Sequence, residues 1–404
     1  MERHTVELLL ERTFLFDPNI YMVVVMTLEG DVGTEELCEA VKKAYTQNSM
    51  TMSKAVLDEN GTLTMEEMEE TGCKVFVDNR DWQEIMNENE RIPFRINEGE
   101  LVRTFIIPRE KETDVFFMIH HITCDGNAIF LLAEDVLSNL QGKEVAYRKS
   151  RVMTKDEAIK KGGLNFIQKS GLKKLSQSWQ NEKKIFNWDD YYKVHKEYWK
   201  DKKTEITFKE IVGSELENVR EECKKYGVTV NSYMVTKLME NYTGTIKLGI
   251  PTSVRGEDRS ISCLVSSVLE YAKYDHNKSF EANVKKVNKI LKNALQNDGS
   301  IYYIPQFVAF SDPTLLDAAY LQNCMGNECK AADTMRKVLG LYGEERIILG
   351  VTNLGVVSIP ADYEKFKVTR VIPVAPHIAT SETVFTISTF NGRMLIAENN
   401  IAKK

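Results

Sequence analysis

The sequence predicts a protein of mixed α/β (α+β) class that is divided into two lobes. Strand patterns and helix patterns are interspersed along both halves of the chain. With 404 residues, of which 43% are hydrophobic, the chain exceeds the roughly 250 to 300 residues that one core usually holds. Residues from about 150 to 203 are rich in lysine and aromatic side chains and hold three of the four tryptophans. We therefore predict an N-terminal lobe of residues 1–165, a crossover linker of 166–203 and a C-terminal lobe of 204–404.

The first half begins with a strand and a helix and then shows a strand pair that leads into two histidines. An apolar run from Tyr21 to Met26 predicts a strand, and apolar residues at helical spacing predict a helix from Thr34. Residues 101–107 and 114–119 have strand patterns and a short charged link, which suits an antiparallel hairpin. The second of these strands runs into His120 and His121. After Gly126, apolar residues recur at helical spacing as far as Leu140.

The second half is predicted to hold helices at Ser214–Tyr226, at 231–242 and from Ser279 onward. The first of these helices is followed by Gly227, a typical helix end. The pair Asn391-Gly392 between two strand patterns is a strong signal for a two-residue hairpin turn. Four strands are assigned to this lobe, and they are Ile246–Val254, Arg346–Ile359, Phe366–Val374 and Thr383–Thr389.

The composition argues against a nucleic-acid-binding protein, a disulfide-rich protein and a membrane-spanning protein. A formal net charge of -6 gives no basic excess, which argues against a nucleic-acid partner. The seven cysteines are scattered without C-x-x-C pairs, so we expect reduced and mostly buried thiols. The chain begins without a leader pattern and has no run of about 18 apolar residues, so we expect a soluble, cytoplasmic protein without a transmembrane segment.

The residues with the clearest chemical potential are His121 and Asp125, in the segment His120-His121-Ile122-Thr123-Cys124-Asp125-Gly126. An imidazole with a pKa near 6.5 can accept a proton from a hydroxyl or amine while that group attacks a carbonyl. Asp125, four residues on, can hold the loop by pairing with an arginine or by accepting backbone N–H groups. Gly126 permits a tight connection from strand to helix.

Other interpretations of this segment stay open from its spacing alone. Neighbouring histidines can ligate a metal, but adjacent residues of a strand point to opposite faces, so no metal site is predicted. Cys124 could be a nucleophile, although a thiol three residues from His121 on a tight loop has little freedom to align with it. Both histidines could also be ordinary packed or surface residues.

The segment from His120 to Gly126 resembles the HHxxxDG signature of the chloramphenicol-acetyltransferase-like superfamily, which includes condensation domains and alcohol acyltransferases. The resemblance extends over most of the chain. Residues 36–41 resemble the first helix of that superfamily, 101–103 the strand before the motif strand, and 227–231 the start of a helix in the second lobe. Looser similarities to strands of the second lobe occur at 251–255, 263–267, 352–355 and 389–394.

This resemblance implies two similar lobes, each a mixed sheet backed by helices, with a central channel between them. His120, His121, Asp125 and Gly126 would form the catalytic motif, with His121 as general base and Asp125 shaping the loop. Transfer would be direct, from acyl-coenzyme A or acyl-phosphopantetheine as co-substrate, without a permanently bound cofactor. The acceptor would be a small alcohol or amine, and a carrier protein could be the donor.

Three further positions are candidates for contacts with the co-substrate, namely Arg255, Thr352 and Asn353. Arg255 lies where the superfamily often has an arginine that pairs with the aspartate of the motif, and Arg103 is the second candidate for that pairing. The backbone N–H groups of Gly126, Thr352 and Asn353 could stabilise an oxyanion, for which one donor contributes roughly 3 to 4 kcal/mol. Residues 353–355 could equally make only a turn or bulge.

Departures from the family pattern limit what the resemblance implies. Residues 48–52 do not follow the common His-Pro-x-Leu-Arg-like pattern, and the Asp-Phe-Gly-Trp-Gly motif of plant acyltransferases has no counterpart. With two lobes filling 404 residues, we expect a free-standing and monomeric enzyme. The alternative is a catalytically silent protein that binds a thioester, lipid or carrier protein. The lysines of the stretch from about 150 to 203 could attract phosphates or a membrane surface or could simply be solvated, and they include Lys160, Lys161, Lys173, Lys174, Lys183 and Lys184.

Overall fold

The computed structural model describes residues 4–325, 329–341, 348–381 and 383–403. The strands in this part of the chain are β1 (Thr5–Glu7), β2 (Tyr21–Gly30), β3 (Ser53–Leu57), β4 (Leu63–Glu67), β5 (Lys74–Val77), β6 (Val102–Pro108), β7 (Glu112–His120), β8 (Lys202–Val212), β9 (Thr245–Ser253), β10 (Val265–Lys273), β11 (Ile348–Val356), β12 (Phe366–Val374), β13 (Thr383–Phe390) and β14 (Arg393–Lys403).

The helices in the same part of the chain are α1 (Thr34–Thr46), α2 (Trp82–Asn89), α3 (Gly126–Leu140), α4 (Lys155–Lys161), α5 (Phe166–Trp179), α6 (Trp188–Tyr198), α7 (Gly213–Tyr226), α8 (Val230–Met239), α9 (Phe280–Leu295), α10 (Asp298–Ile301), α11 (Tyr303–Phe310), α12 (Pro313–Met325) and α13 (Lys330–Leu339). Two 3-10 turns lie at Leu10–Phe14 and Ile96–Glu98, and we call the former the N-terminal turn.

Two mixed sheets form the centres of the two lobes. The first sheet has the strand order β12-β2-β7-β6-β5, and the second has the order β10-β9-β11-β13-β14-β8. A small third sheet has the order β1-β4-β3. The fold class predicted from the sequence is therefore confirmed: the protein is a two-lobed α/β structure with mixed sheets that are backed by helices.

The first sheet is organised around β2. Its residues from Tyr21 to Leu28 are all buried, as expected for a strand covered on both faces. β7 runs antiparallel to β2, with Tyr21 opposite His120, and β6 and β7 form the predicted antiparallel pair. The apolar face of α1 is buried, as its helical spacing predicts. This packing fixes the end of β7, where the two histidines lie.

The strand β12 corrects one assignment made from the sequence. Residues 366–374 are predicted as a strand of the second lobe, but they pair antiparallel with β2 in the first sheet. The pairing has a register shift between Val368 and Arg370. A strand pattern identifies the strand but carries no information about its partner, because pairing is decided by tertiary packing. The division at residues 165 and 203 otherwise stays a prediction.

The second sheet has a helix-covered face and a face that is turned toward the first lobe. Ile246, Leu248 and Ile250 of β9 pack in a core with residues of α8 and α9, including Val235 and Val284. Alternate residues of a strand point to opposite faces, so the intervening residues of β9 face the other side. The predicted strand 346–359 is observed as β11, and Arg346 lies outside the described residues. The hairpin turn at Asn391-Gly392 is confirmed, with both residues at positive φ.

The crossover consists of helices whose tryptophans anchor it to the rest of the molecule. The indole N–H of Trp179 donates to Oγ1 of Thr314 at 2.8 Å, and that of Trp199 donates to the carbonyl oxygen of Pro18 at 2.9 Å. Both indoles are buried. These contacts explain why tryptophans are concentrated in a segment that is otherwise rich in charge.

No described helix combines the length and the apolar character that crossing a membrane requires. The described cysteine side chains are all free thiols, as predicted, and the side chain of Cys324 lies outside the described part.

Candidate active site between the two lobes

The connection between β7 and α3 holds His121 and Asp125, the residues with the clearest chemical potential in the sequence. β7 ends at His120, and α3 begins at Gly126. Asp125 caps the helix, because its Oδ1 accepts from the backbone N–H groups of Asn127 at 2.9 Å and Ala128 at 3.0 Å. A short strand-to-helix loop with a capped helix start holds the histidines in a fixed position.

The two adjacent histidines point to different environments, as their strand position predicts. His120 is buried, and its Nδ1 accepts from the N–H of Ile122 at 3.2 Å. Its ring meets the edge of Phe94 at 5.7 Å between centroids. Burial, and then the neighbouring His121, lowers the pKa of His120 to about 3. His120 is therefore a neutral residue that packs behind the loop.

His121 lies on the other side, where it lines a large cavity and is half-buried. Its ring stacks on Phe14 of the N-terminal turn, with centroids 4.4 Å apart. Burial lowers the pKa of His121 below 6.5, although nearby backbone carbonyl groups and Asp125 offset part of the effect. This shift favours the neutral imidazole, which is the state that a general base requires.

Asp125 joins the two lobes through a buried ion pair. Its Oδ2 accepts from Nη2 of Arg255 at 2.7 Å and from the N–H of Leu264 at 2.8 Å. Arg255 also donates to the carbonyl oxygens of Ser260 at 2.6 Å and Ser262 at 2.7 Å. Of the two candidate arginines, Arg255 is therefore the partner of Asp125.

Arg103, the second candidate, is engaged elsewhere. Its Nε donates to Oε1 of Glu100 at 3.0 Å, and its guanidinium lies over the ring of Phe94 at 4.3 Å. The predicted role of Arg255 toward the co-substrate finds no support in these contacts, because its donors, except for the unpartnered buried Nε, are directed to Asp125 and the surrounding loop.

The cavity lies between the lobes and has a volume of about 750 Å³. It is lined by β2 and the N-terminal turn on one side and by β9, β10 and β11 on the other. Most of the lining is apolar, with a few polar groups, as is typical of small-molecule sites. The charged side chains in its described lining are Asp17, Asp125 and Lys247.

The predicted oxyanion donors also lie at this cavity. Gly126, Thr352 and Asn353 all line it. Among the described residues, the N–H of Gly126 has no hydrogen-bond acceptor, as expected at a helix start. The side chain of Leu354 covers Gly126, because a Cβ built on Gly126 would lie 2.9 Å from its Cδ2.

The bulge that the sequence analysis left open at residues 353–355 is present. The register of β11 against β13 shifts between Asn353 and Gly355, and Gly355 has a φ of +68°. Oδ1 of Asn353 accepts from the N–H of Gly355 at 2.9 Å, and its Nδ2 donates to Asn231 at 3.2 Å. The side chain of Asn353 therefore stabilises the bulge, and a catalytic role for its backbone stays a prediction.

The structure brings further residues to this site that no sequence pattern indicates. Sγ of Cys263 lies 3.8 Å from Nδ1 of His121. Asp17 is buried at the cavity wall, where it accepts from the N–H of Ala379 at 3.1 Å, and burial raises its pKa to about 6. Phe14, Cys263 and Asp17 are distant in sequence from the histidine segment. Cys263 begins the stretch 263–267 that resembles a strand of the second lobe, but that resemblance does not place its thiol beside His121.

The nucleophile considered at Cys124 finds no support. This thiol is fully buried and is not part of the cavity lining, and burial raises its pKa well above 9.0. Among the described residues, no group of three or more His, Cys, Asp or Glu side chains is arranged to hold a metal ion.

No protein-family model and no curated protein sequence matches the chain. Solved structures do resemble it. The condensation domain of the monacolin K polyketide synthase MokA has 12% identity and a TM-score of 0.65, with 98% of this chain and 92% of that chain covered. The trichothecene 15-O-acetyltransferase TRI3 of Fusarium sporotrichioides has 10% identity and a TM-score of 0.65, with 98% and 91% covered.

Polyketide synthase associated protein 5 of Mycobacterium tuberculosis is a third similar structure, with 10% identity, a TM-score of 0.61 and coverage of 98% and 92%. The protein thus has the two-lobed fold of condensation domains and of the TRI3 acetyltransferase, the chloramphenicol-acetyltransferase-like fold that the sequence resemblance predicted. At these identities the similarity establishes the fold, and the chemistry has to be argued from the site itself.

Proposed function

We propose that this protein is an acyltransferase that moves an acyl group from a thioester to an alcohol or amine, with His121 as general base. The observation that carries the proposal is the position of His121. It is a half-buried, neutral imidazole at the wall of a cavity of about 750 Å³ between the lobes. The fold shared with an acetyltransferase and with condensation domains supports the same class of reaction.

The proposed reaction proceeds in two steps. In the first, the acceptor hydroxyl or amine attacks the thioester carbonyl carbon while His121 takes the acceptor's proton, which gives a tetrahedral oxyanion and an imidazolium. In the second, the oxyanion collapses, the carbon–sulfur bond breaks, and the imidazolium returns the proton to the departing thiolate. The products are an ester or amide and a free thiol, and His121 is regenerated.

The surroundings of His121 suit these steps. The stacked ring of Phe14 limits rotation of the imidazole, and the ion pair of Asp125 with Arg255 holds its loop against the second lobe. The N–H of Gly126 at the start of α3, which has no acceptor among the described residues, is the first candidate to stabilise the oxyanion, since Gly126 lines the same cavity. Thr352 is a second candidate donor.

The apolar lining favours an acyl or acceptor group of hydrophobic character. We propose coenzyme A or a phosphopantetheine-bearing carrier protein as the donor, and a small alcohol or amine as the acceptor.

The proposal is tested by measuring release of free thiol from acetyl-, butyryl- and palmitoyl-coenzyme A with a panel of alcohols and amines. We expect release that depends on the acceptor and that falls by a factor on the order of 10² to 10⁴ in His121→Ala, the range of general-base contributions. His276→Ala is the matched control, because it removes an exposed imidazole that does not line the cavity.

The outcome decides between the enzyme and the alternative class. Release that is unaffected by His121→Ala would contradict the assignment of the base. If no donor, including an acyl-carrier protein, gives any release while thioesters still bind, the protein is a catalytically silent binder of thioesters, lipids or carriers.

A further inference from the structure

Five lysines between α4 and the end of α5 lie in a stretch without any acidic residue. Residues 158–181 contain Lys160, Lys161, Lys169, Lys173 and Lys174 and no aspartate or glutamate. The chain as a whole has a formal net charge of -6, so this stretch is a local excess of positive charge on an acidic protein. A concentration of one charge attracts a surface of the opposite charge.

Helix α5 has one packed face and one exposed face. Asn165 caps its start, and Leu172 and Trp179 are buried on its packed side. Lys173 and Lys174 are both exposed. The helix is therefore held in place by one side, and its lysines point away from the core.

The first turn of α5 carries two adjacent large apolar side chains in solvent. Phe166 is 85% exposed and Ile167 is 80% exposed, the highest values among the large hydrophobic side chains of the described residues. Residues seven positions apart share a helix face, so Phe166 lies on the face of Lys173 and Ile167 on that of Lys174. We call these four residues the α5 face.

The lysines of the α5 face have no counterion in the part of the chain that the structure describes. No hydrogen bond or ion pair there engages the ammonium group of Lys173 or Lys174. Lys161, by contrast, lies 3.5 Å from Oε1 of Glu157. Two positive charges on the α5 face are thus available to an external anion.

The combination of features distinguishes the α5 face from an ordinary solvated helix. Exposed lysines alone are common on helices, but an adjacent exposed pair of this size keeps a large apolar area in water. The pair lies at the tip of a helix, where it projects outward. An anionic bilayer accepts projecting apolar side chains at its interface and attracts the neighbouring lysines to its head groups.

We propose that the α5 face is a membrane-contact surface, with Phe166 and Ile167 entering the interface of an anionic bilayer and Lys173 and Lys174 contacting its lipid head groups. The long apolar stems of the lysines allow their charges to reach the head groups while the tip is inserted. This inference does not depend on the proposed function, because attachment to a bilayer requires no turnover.

The α5 face lies one helix away from the cavity. Nε2 of Gln168 in α5 donates to the hydroxyl of Tyr303 in α11 at 3.0 Å, and Lys169 lies over the ring of Phe310 at 5.5 Å. Tyr303 and Phe307 of α11 line the cavity. Attachment through the α5 face therefore brings the apolar cavity close to the bilayer surface.

The test is co-sedimentation of the full chain with two kinds of vesicle, in about 0.1 M salt. One kind is pure phosphatidylcholine, and the other contains about 30% phosphatidylserine. We expect binding to the anionic vesicles that Phe166→Ser combined with Ile167→Ser weakens at least about tenfold. Lys173→Gln combined with Lys174→Gln should weaken it by about tenfold or more, and this difference from wild type should disappear in about 1 M salt.

Two matched controls separate the α5 face from the rest of the surface. Lys224→Gln combined with Lys225→Gln removes two adjacent exposed lysines from α7. Phe76→Ser combined with Val77→Ser removes an adjacent aromatic and aliphatic pair from β5, where the two side chains are 42% and 55% exposed. Neither control should change vesicle binding. Because the substituted side chains of the α5 face are exposed, an unchanged melting temperature is expected and verifies that these variants are folded.

Three results would overturn the proposal. They are no sedimentation with anionic vesicles, binding that survives both substitutions of the α5 face, and equal binding to the two kinds of vesicle. Absence of vesicle binding together with binding to an acidic carrier protein that depends on the α5 face would assign this surface to a protein partner instead. Loss of acyl transfer in the thiol-release assay leaves each of these outcomes unchanged, so the two proposals fail independently.

Discussion

At the scale of single residues, the candidate base depends on the contrast between two adjacent histidines. His120 is buried and His121 is half-buried. Burial is the largest cause of the lowered pKa of each. His120 is enclosed and neutral down to acidic pH, whereas His121 keeps one side at the cavity. The same dipeptide thus supplies a packed residue and a reactive one, because adjacent residues of a strand point to opposite sides.

The lowered pKa of His121 predicts the pH dependence of the proposed reaction. Since the neutral imidazole is the base, kcat/KM should fall as the pH drops through the lowered pKa of His121, so the acidic limb should be centred below pH 6.5. The measurement is kcat/KM of the wild type between about pH 5 and pH 8. An acidic limb centred above pH 6.5 would be inconsistent with the buried position of this imidazole.

Glu11 in the N-terminal turn is a second residue whose position has a measurable consequence. It is fully buried, and within the described residues no side chain donates a hydrogen bond to its carboxylate, which lies near the backbone N–H groups of residues 9–11. Burial raises its pKa from 4.5 to about 7. The folded state therefore binds the proton more tightly than the unfolded state. The stabilising contribution of this proton is complete below pH 4.5 and is lost as the pH rises through about 7.

We expect Glu11→Gln to raise the free energy of unfolding at about pH 8, relative to wild type, by up to about 3 kcal/mol, and to change it much less at about pH 5. Chemical denaturation at the two pH values measures this difference. Glu59→Gln is the control, because Glu59 is exposed in a turn and its substitution should have little effect at either pH. A stabilisation that does not depend on pH would rule out the ionisation of Glu11 as its cause.

At the scale of elements, helix α3 and the loop of residues 254–264 are joined by two ion pairs of different burial. Asp125 and Arg255 form the buried pair, whereas Arg259 and Glu134 form an exposed pair at 2.7 Å, with Arg259 61% exposed. The two pairs connect the same elements. A comparison of the two pairs therefore shows how much the burial of an ion pair, at the same place in the fold, contributes to stability.

Asp125→Ala should destabilise the protein by about 3 to 5 kcal/mol, because it leaves the guanidinium of Arg255 buried without its carboxylate and removes the cap of α3. Arg259→Ala should cost at most about 1 kcal/mol, as is usual for exposed pairs. Denaturant unfolding of both variants measures the two costs. Similar costs for the two substitutions would show that the Asp125–Arg255 pair is not the specific connection that the geometry indicates.

At the scale of the whole molecule, β12 joins the two lobes, because it pairs with a strand of the first sheet. This strand follows most of the second lobe in the chain but completes the first sheet beside β2. Val368 and Ile372 of β12 belong to the same buried core as Val25 of β2 and Phe116 of β7. The first lobe therefore requires residues from the far end of the chain.

We expect a fragment of residues 1–203 not to fold, although the sequence division makes it look like a complete lobe with its linker. It lacks β12 and Arg255, which leaves the apolar edge of β2 and the carboxylate of Asp125 without partners. Dispersion of amide signals in a proton–nitrogen correlation spectrum, compared with the full chain, is the measurement. A well-dispersed spectrum of the fragment would refute the dependence on β12.

The sequence by itself determined the local structure and the chemical candidates. The spacing of apolar residues predicted α1, α3 and α9, and Gly227 marked the end of α7, because these signals act between residues close in the chain. The segment from His120 to Gly126 indicated the loop, the base and the helix cap.

Only the tertiary structure decided which distant residues meet. The pairing of β12 with β2, the choice of Arg255 over Arg103 and the arrival of Phe14 and Cys263 at His121 all join positions far apart in sequence. Lys247 lies on strand β9, and nothing in the sequence around it indicates that it lines a cavity with few other charged residues. The physical reason is that packing and ion pairing depend on which whole surfaces are buried together. A short stretch of sequence does not contain that information.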